Sequence, residues 1–253
     1  MTTLAPFPRP LVIAHRGASG DRPENTFPAF ALAVEQGADM IETDLHRTRD
    51  GVIVIHHDAE LARLGRAGEI GDYTAAELSV LNAAPGEAVV EPIPTLPELL
   101  DRFGERIEWN LEIKVGTREA YAGIERAALR EVASRSLLSR MLFSSFDDGV
   151  LERVRAESEA ARVAVLVSPR APRRILERAA AVRAEAIHPH VSLVDERLVR
   201  EAHDAGLRVY PYTANSRRDM LRLLACRVDG LITNHPDRLL GLVSESQMGP
   251  ASA

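Results

Sequence analysis

Ionisable side chains stand directly after short apolar runs in the first quarter of the chain. Each run is typical of a buried strand, so the groups that follow it should emerge together at the strand ends of one sheet. Imidazole, guanidinium and carboxylate groups gathered in this way could carry out metal-assisted acid/base chemistry on a phosphate. His15 and Arg16 follow the run at residues 11–14, Glu42 and Asp44 follow the run at residues 40–41, and His57 follows the run at residues 52–55.

The carboxylates have a spacing that favours a bound metal ion. Alternate side chains of a strand share a face, so Glu42 and Asp44 point the same way. The same holds for Asn110, Glu112 and Lys114 on a later strand. Carboxylates of one sign repel each other when buried, and burial without a partner is costly. We therefore predict one divalent cation at these carboxylates, and three carboxylates without cysteine favour Mg²⁺ or Ca²⁺ over zinc.

The lysine content of the chain is unusual. Of the 31 basic residues, Lys114 is the only lysine. A general preference for arginine explains the other basic positions but does not explain the one lysine that remains. A compact ammonium cannot be replaced by a planar guanidinium where space is tight, so we predict a functional role for Lys114. With the metal ion, Arg16 and Lys114 included, the predicted site has one net positive charge, which suits a monoanionic phosphodiester.

Composition excludes several classes of protein. The chain has 253 residues and 45% hydrophobic content, which suits a single (β/α)₈ barrel of about 250 residues. A net charge of −6 without a basic block argues against a nucleic-acid surface. The chain has neither an apolar run of membrane-spanning length nor the layout of a secretory signal at its start. We therefore expect a soluble, cytoplasmic protein that binds a small molecule, without stable membrane association. The pattern does not determine the oligomeric state.

The rest of the chain alternates between strand-like and helix-like segments. Eight such units predict a mostly parallel sheet that closes into a barrel, within one domain that covers residues 1–253. Beyond the first two runs, the predicted strands cover residues 107–113, 141–143, 162–167, 185–188, 207–212 and 230–233. The predicted helices cover residues 28–36, 97–103, 118–134, 147–158, 172–182, 195–205, 217–224 and 236–242.

One connection is too short for this alternation. Only residues 45–51 separate Asp44 from the next strand, and Asp50-Gly51 is typical of a hairpin turn. We therefore expect residues 52–55 to fold back antiparallel on the second strand and to return His57 to the carboxylates. Residues 59–96 then form an insertion beside the predicted site, with one short helix at residues 74–81.

Ordered motifs across nearly the whole chain resemble the glycerophosphodiester phosphodiesterase family, within the superfamily of barrels similar to phosphatidylinositol phospholipase C. The resemblance implies a (β/α)₈ barrel that hydrolyses glycerophosphodiesters to sn-glycerol 3-phosphate and an alcohol with a divalent metal ion, in glycerophospholipid catabolism. The matching segments are His15-Arg16-Gly17, Pro23-Glu24-Asn25-Thr26, Glu42-x-Asp44, Asp50-Gly51, His57-Asp58, Ile93-Pro94-Thr95-Leu96, Glu112-x-Lys114 and Val228-Asp229-Gly230-Leu231-Ile232-Thr233.

The resemblance also implies a role for each matching residue. His15 and His57 become the acid/base pair, and Glu42, Asp44 and Glu112 become the metal ligands. Arg16 and Lys114 become phosphate contacts, and Tyr212, which stands where the family often has tryptophan, becomes a residue of the substrate pocket. Asn234 stands where the family often has aspartate, and we expect this departure to affect the pocket wall and not the reaction.

Some alternatives remain open at the level of sequence. The nucleophile is either water or the 2-hydroxyl of the substrate, and either histidine could be the acid. A lysophospholipase D would use the same residues with an apolar docking loop, and a non-catalytic phosphate-binding module would lack one of them. Asn25 could shape the site or belong only to a helix cap. We expect His56 to be structural and His46, His190, His203 and His235 to be surface or cap residues.

Overall fold

The computed structural model describes residues 9–86, 89–118 and 120–247. Its strands alternate with helices along most of the chain, as the sequence predicts. The strands are β1 (Leu11–His15), β2 (Met40–Arg47), β3 (Ile53–Ile55), β4 (Glu108–Ile113), β5 (Met141–Ser145), β6 (Arg162–Val167), β7 (Ala186–Pro189), β8 (Arg208–Val209) and β9 (Gly230–Thr233). The helices are α1 (Phe27–Glu35), α2 (Ala75–Leu78), α3 (Leu96–Phe103), α4 (Ile124–Ala133), α5 (Asp148–Glu157), α6 (Ile175–Ala181), α7 (Glu196–Asp204), α8 (Arg217–Ala225) and α9 (Pro236–Gln247).

Eight parallel strands form the barrel. Their order around the sheet is β8-β7-β6-β5-β4-β2-β1-β9. Backbone hydrogen bonds join the two ends of this sheet, from Asp229 N–H to Val209 O at 3.1 Å and from Ile232 N–H to Pro211 O at 3.0 Å. The predicted (β/α)₈ barrel is therefore confirmed.

The barrel interior has an apolar layer, and polar groups lie beyond this layer at the carboxyl ends of the strands. The apolar layer takes one residue from each of six strands and the residue that follows β8: Ile13, Met40, Leu142, Ala164, Ala186, Ile232 and Tyr210. Side chains two positions further along a strand share its inward face, so His15 lies above Ile13 and Glu42 above Met40. The polar groups thus collect at the carboxyl ends of the strands, where barrel enzymes carry their active sites.

The helices pack on the outer face of the barrel. Trp109 on β4 is fully buried there, and Phe30 of α1 meets its ring edge-on with centroids 5.2 Å apart. Among the residues that the structure describes, no helix has both the length and the apolar character needed to cross a membrane.

The predicted hairpin is confirmed. Strand β3 runs antiparallel to β2, with Leu45 opposite Ile55 and Arg47 opposite Ile53. Gly51 has φ 89°, a conformation that glycine adopts readily at such a turn. After β3, the His56 N–H donates to Asp44 O at 3.2 Å, so the chain returns to the level of the carboxylates.

The insertion at residues 59–96 has a small core of its own. Leu61, Ile70, Leu78 and Ile93 pack together against Val54 of the hairpin. The short helix α2 covers Ala75–Leu78, less than predicted, and Thr74 and Glu77 form its capping box.

Three further predicted helix boundaries were wrong, and the strand predicted over residues 207–212 covers only Arg208–Val209. Helix α4 begins at Ile124 rather than at residue 118, because Thr117 and Arg118 bind Glu69 of the insertion and Gly123 has φ 72°. Helix α6 begins at Ile175 rather than at residue 172, after Arg174 in the left-handed conformation. Helix α9 continues to Gln247, past the predicted end at residue 242.

Candidate active site

Three buried carboxylates meet at the carboxyl end of the barrel. Glu42 and Asp44 lie on β2 and Glu112 on β4, and the register places Asp44 opposite Glu112. One oxygen from each carboxylate lies within 4.8 Å of the other two, which is close enough to share one metal ion. The structure therefore brings together the three residues that the sequence predicts as ligands.

The three carboxylates of this cluster differ in how strongly the neighbouring basic side chains stabilise their ionised forms. Burial raises the pKa of Glu42 well above its usual value, and the neighbouring Asp44 and Glu112 raise it further. Burial also raises the pKa of Glu112, against the opposing effect of Lys114. For Asp44, burial acts in the same direction, but Lys114 and Arg16 outweigh it and hold its pKa below the ordinary range. The two basic side chains thus neutralise one carboxylate better than the other two.

Lys114 and Arg16 contact the cluster directly. Lys114 Nζ lies 2.9 Å from Asp44 Oδ1 and 2.7 Å from Glu112 Oε1. Arg16 Nε lies 3.2 Å from Asp44 Oδ2, and its Nη1 donates to Glu24 Oε2 at 2.8 Å. Both side chains also line the pocket, so each can meet a phosphate from the rim of the carboxylate cluster.

The two predicted acid/base histidines have different partners. His15 Nδ1 donates to Asn234 Oδ1 at 2.7 Å, and His57 Nδ1 lies 2.8 Å from Asp58 Oδ1. In both rings Nδ1 is thus engaged by a neighbouring side chain, and Nε2 remains for other contacts. His15 Nε2 lies 3.8 Å from Glu42 Oε2. Burial lowers the pKa of His15 to about 4 and also lowers the pKa of His57.

Asn234 has a different role from the one expected. The sequence places it at the pocket wall, but its side chain holds the ring of His15. Closure of the barrel between β9 and β1 creates this contact across 219 residues of sequence, so no local pattern indicates it. The departure from the family's usual aspartate therefore concerns the immediate partner of a predicted acid/base residue.

Asn25 supports both of the readings left open by the sequence. Its Nδ2 donates to Asp44 Oδ2 at 2.8 Å, and its Oδ1 accepts from the Thr43 hydroxyl at 2.7 Å. Asn25 has φ 58°, which asparagine tolerates better than most residues. The next residue, Thr26, is the N-cap of α1. The segment therefore starts a helix and fixes the orientation of a carboxylate.

His46 is not a surface residue, contrary to the sequence prediction. It is 1% exposed, its Nε2 lies 3.2 Å from His57 O, and its Nδ1 lies 2.9 Å from the Tyr121 hydroxyl. Its position two residues after Asp44 on the same face of β2 is a sequence signal that could have indicated this location. His56, by contrast, is buried and does not line the pocket, which agrees with the structural role expected for it.

The cluster opens into a cavity of about 160 Å³. All of the predicted site residues except Asp44 line it, together with Asn110, Phe146, Leu166, Thr213 and Ile232. Phe146 is 43% exposed and meets the ring of Tyr212 edge-on with centroids 5.8 Å apart. Phe146 and Leu166 also line a neighbouring cavity of about 650 Å³, so the two cavities adjoin there.

A barrel with ionisable groups at the carboxyl ends of its strands has the architecture of a barrel enzyme. A model of the glycerophosphoryl diester phosphodiesterase family matches residues 15–238. The chain therefore belongs to this family.

Relatives and solved structures agree with this assignment. The chain is 34% identical over 243 residues to a glycerophosphodiester phosphodiesterase of Caldanaerobacter subterraneus, covering 92% of this chain and 97% of that protein. It is 31% identical over 250 residues to one from Bacillus subtilis, covering 90% and 85% of the two chains. The structure is similar to that of an Oleispira antarctica phosphodiesterase in complex with the product sn-glycerol 3-phosphate. The TM-score is 0.81 at 31% identity, covering 93% of this chain and 97% of that chain.

Proposed function

We propose that the protein hydrolyses glycerophosphodiesters to sn-glycerol 3-phosphate and an alcohol, with one divalent cation and with His15 and His57 as the acid/base pair. The observation that carries this proposal is the convergence of two imidazoles, two basic side chains and two carboxylates on one small cavity, with Asp44 directly behind them in the same carboxylate cluster. The product named for the Oleispira relative supports the choice of substrate.

Glu42, Asp44 and Glu112 would hold the cation. Their oxygens are the donors that Mg²⁺ and Ca²⁺ prefer, and the raised pKa values of both glutamates indicate that further positive charge would stabilise their ionised forms. When bound, a divalent cation supplies charge stabilisation to a phosphoryl oxygen. Together with Arg16 and Lys114 it would leave one net positive charge, which complements the single charge of a phosphodiester.

The protein side chains divide the remaining work. Arg16 and Lys114 bind and orient the phosphate, where fixed charges in a water-poor site stabilise the transition state strongly. One histidine removes the proton of the nucleophile, and the other protonates the departing alkoxide. Asn234 and Asp58 hold the two rings at Nδ1, so that both Nε2 atoms are available for these transfers.

The two cavities suggest how a substrate lies. A volume of about 160 Å³ is small for a whole substrate, since small-molecule sites usually measure about 300–1,000 Å³. We place the glycerol phosphate end in the inner cavity and the alcohol beyond Phe146, in the cavity of about 650 Å³. The substrate is then a small, water-soluble diester, and we expect the enzyme to act in the cytoplasm.

Phosphorus NMR tests this function with a panel of diesters. Glycerophosphocholine, glycerophosphoethanolamine and glycerophosphoinositol should each lose the diester resonance and gain that of glycerol 3-phosphate. A lysophospholipid in the same panel tests the lysophospholipase D alternative, which would need an apolar docking loop; Val80, Val89 and Val90 of the insertion are exposed. Conversion of the lysophospholipid alone would contradict the proposal.

The same panel separates the two nucleophiles. A substrate whose 2-hydroxyl is replaced by hydrogen cannot form a five-membered cyclic phosphate, so its turnover would show that the 2-hydroxyl is not the nucleophile and would favour water. A transient cyclic phosphate resonance, with loss of turnover for the analogue, would indicate attack by the substrate's own hydroxyl.

A further inference from the structure

The buried His46 and the partly buried Tyr121 form a chain of hydrogen bonds that ends on the peptide group of His57. A carbonyl oxygen only accepts, so His46 Nε2 carries the proton and donates it to His57 O at 3.2 Å. In a neutral ring Nδ1 is then an acceptor, which receives the Tyr121 hydroxyl at 2.9 Å.

This chain joins three separate parts of the molecule. His46 lies on β2, His57 follows β3, and Tyr121 lies in the connection between β4 and α4. A second hydrogen bond, from Arg47 Nη1 to Ala122 O at 2.9 Å, ties the same connection to β2. His57 itself lies beyond the end of β3 and outside the strand ladder, so the ladder does not fix its backbone.

We propose that His46, oriented by Tyr121, is a positioning residue that sets the backbone of His57 and thereby the location of its imidazole in the pocket. Asp58 orients the ring at Nδ1, while His46 fixes the peptide from which the ring projects. The inference rests on the proposed function, because it gives His57 an acid/base role.

The direct test compares four single variants. His46→Phe keeps an aromatic ring but removes both nitrogens, and should lower kcat on glycerophosphocholine about ten- to hundredfold, since small misplacements of catalytic groups cost up to about a hundredfold. The KM should stay within about twofold, because the phosphate contacts are untouched. His46→Gln keeps an amide donor near the position of Nε2 and should restore kcat to within about threefold of the parent. Tyr121→Phe should lower kcat about threefold, and the distant His203→Gln serves as a control for histidine replacement.

A double-mutant cycle separates positioning from general support of the fold. If His46 acts through the imidazole of His57, adding His46→Phe to His57→Ala should change the residual turnover by less than about twofold. The same fall in both backgrounds would overturn the inference, as would His46→Gln being no better than His46→Phe. If His46→Phe does not fold, Tyr121→Phe can replace it in the cycle, in the parent and in His57→Ala. A Tyr121→Phe variant with the kcat of the parent would count against the positioning role.

The outcomes also distinguish this inference from the proposed function. If the parent releases no glycerol 3-phosphate from any diester, the proposed function fails. If the parent is active but His57→Ala keeps its turnover, the acid/base assignment fails, and the role of His46 fails with it. If His57→Ala is impaired and the cycle is additive, only the positioning role is refuted.

Discussion

Removal of the Lys114 charge should destabilise the protein and impair turnover. Lys114 Nζ lies 2.9 Å from Asp44 Oδ1 and 2.7 Å from Glu112 Oε1, and both carboxylates are buried. Removing one partner of a buried ion pair typically costs about 3–5 kcal/mol. Both glutamates of the cluster have raised pKa values, so they can take up a proton when the ammonium is lost. We therefore expect a loss of stability at the lower end of this range, about 3 kcal/mol, for Lys114→Met without metal.

Thermal unfolding followed by circular dichroism measures this effect. For a domain of this size, about 3 kcal/mol corresponds to a fall in Tm of roughly 6–12 °C in the presence of chelator. Addition of Mg²⁺ or Ca²⁺ should recover part of the loss, because the cation replaces the missing positive charge. The difference should also shrink from pH 8 to pH 5, because the glutamates protonate as the pH falls through their raised pKa values and then need the ammonium less.

Lys114→Arg is the matched control, because it keeps the charge and changes the shape. Its Tm should stay near that of the parent, whereas its turnover should fall about ten- to hundredfold, as for loss of a charged hydrogen bond worth about 1.5–3 kcal/mol. A Lys114→Met variant that melts within about 2 °C of the parent in chelator would refute the reasoning. If Lys114→Arg has the turnover of the parent, the proposed contact between Lys114 and the phosphate is wrong.

Three further predictions test other parts of the site. In steady-state kinetics, His15→Ala and His57→Ala should each lower kcat by about a hundredfold or more, whereas His56→Ala should lower it much less. If His56 proves to be the essential residue, the assignment of the acid/base pair fails. Glu112→Gln should weaken Mg²⁺ binding in calorimetry by about tenfold or more while the circular dichroism spectrum is unchanged, and parental affinity would exclude it as a ligand. Phe146→Ala should raise the KM for glycerophosphocholine about two- to tenfold, through loss of the aromatic face available to the quaternary ammonium. An equal change for glycerophosphoinositol would show that no such contact is made.

The sequence predicts the barrel and the carboxylate cluster because both depend on local periodicity. Alternation of strands and helices leaves few possible topologies, and side chains at i and i+2 of one strand must share a face. Glu42 and Asp44 are therefore on one face wherever β2 lies in the sheet. The short Asp50-Gly51 connection determines the hairpin in the same local way, and the structure confirms the return of the chain to Asp44.

The features that the sequence misses depend on long-range contacts. Asn234 reaches His15 only because β9 closes the barrel against β1. His46 shares a face of β2 with Asp44, but its partners are His57 after the hairpin and Tyr121 before α4, and these contacts are not visible in its neighbours in sequence. The start of α4 shifts for a similar reason, since Glu69 of the insertion binds Thr117 and Arg118 and keeps them out of the helix.

Release of glycerol 3-phosphate from glycerophosphocholine by metal-stripped protein tests the central claim most directly. A coupled assay with glycerol 3-phosphate dehydrogenase reports this product alone. We predict that chelator lowers the rate by at least about a hundredfold, and that Mg²⁺ or Ca²⁺ restores it, because one oxygen from each of Glu42, Asp44 and Glu112 lies within 4.8 Å of the other two, close enough to share one cation. Full activity in the stripped protein would contradict metal dependence, and absence of glycerol 3-phosphate under every condition would contradict the proposed reaction itself.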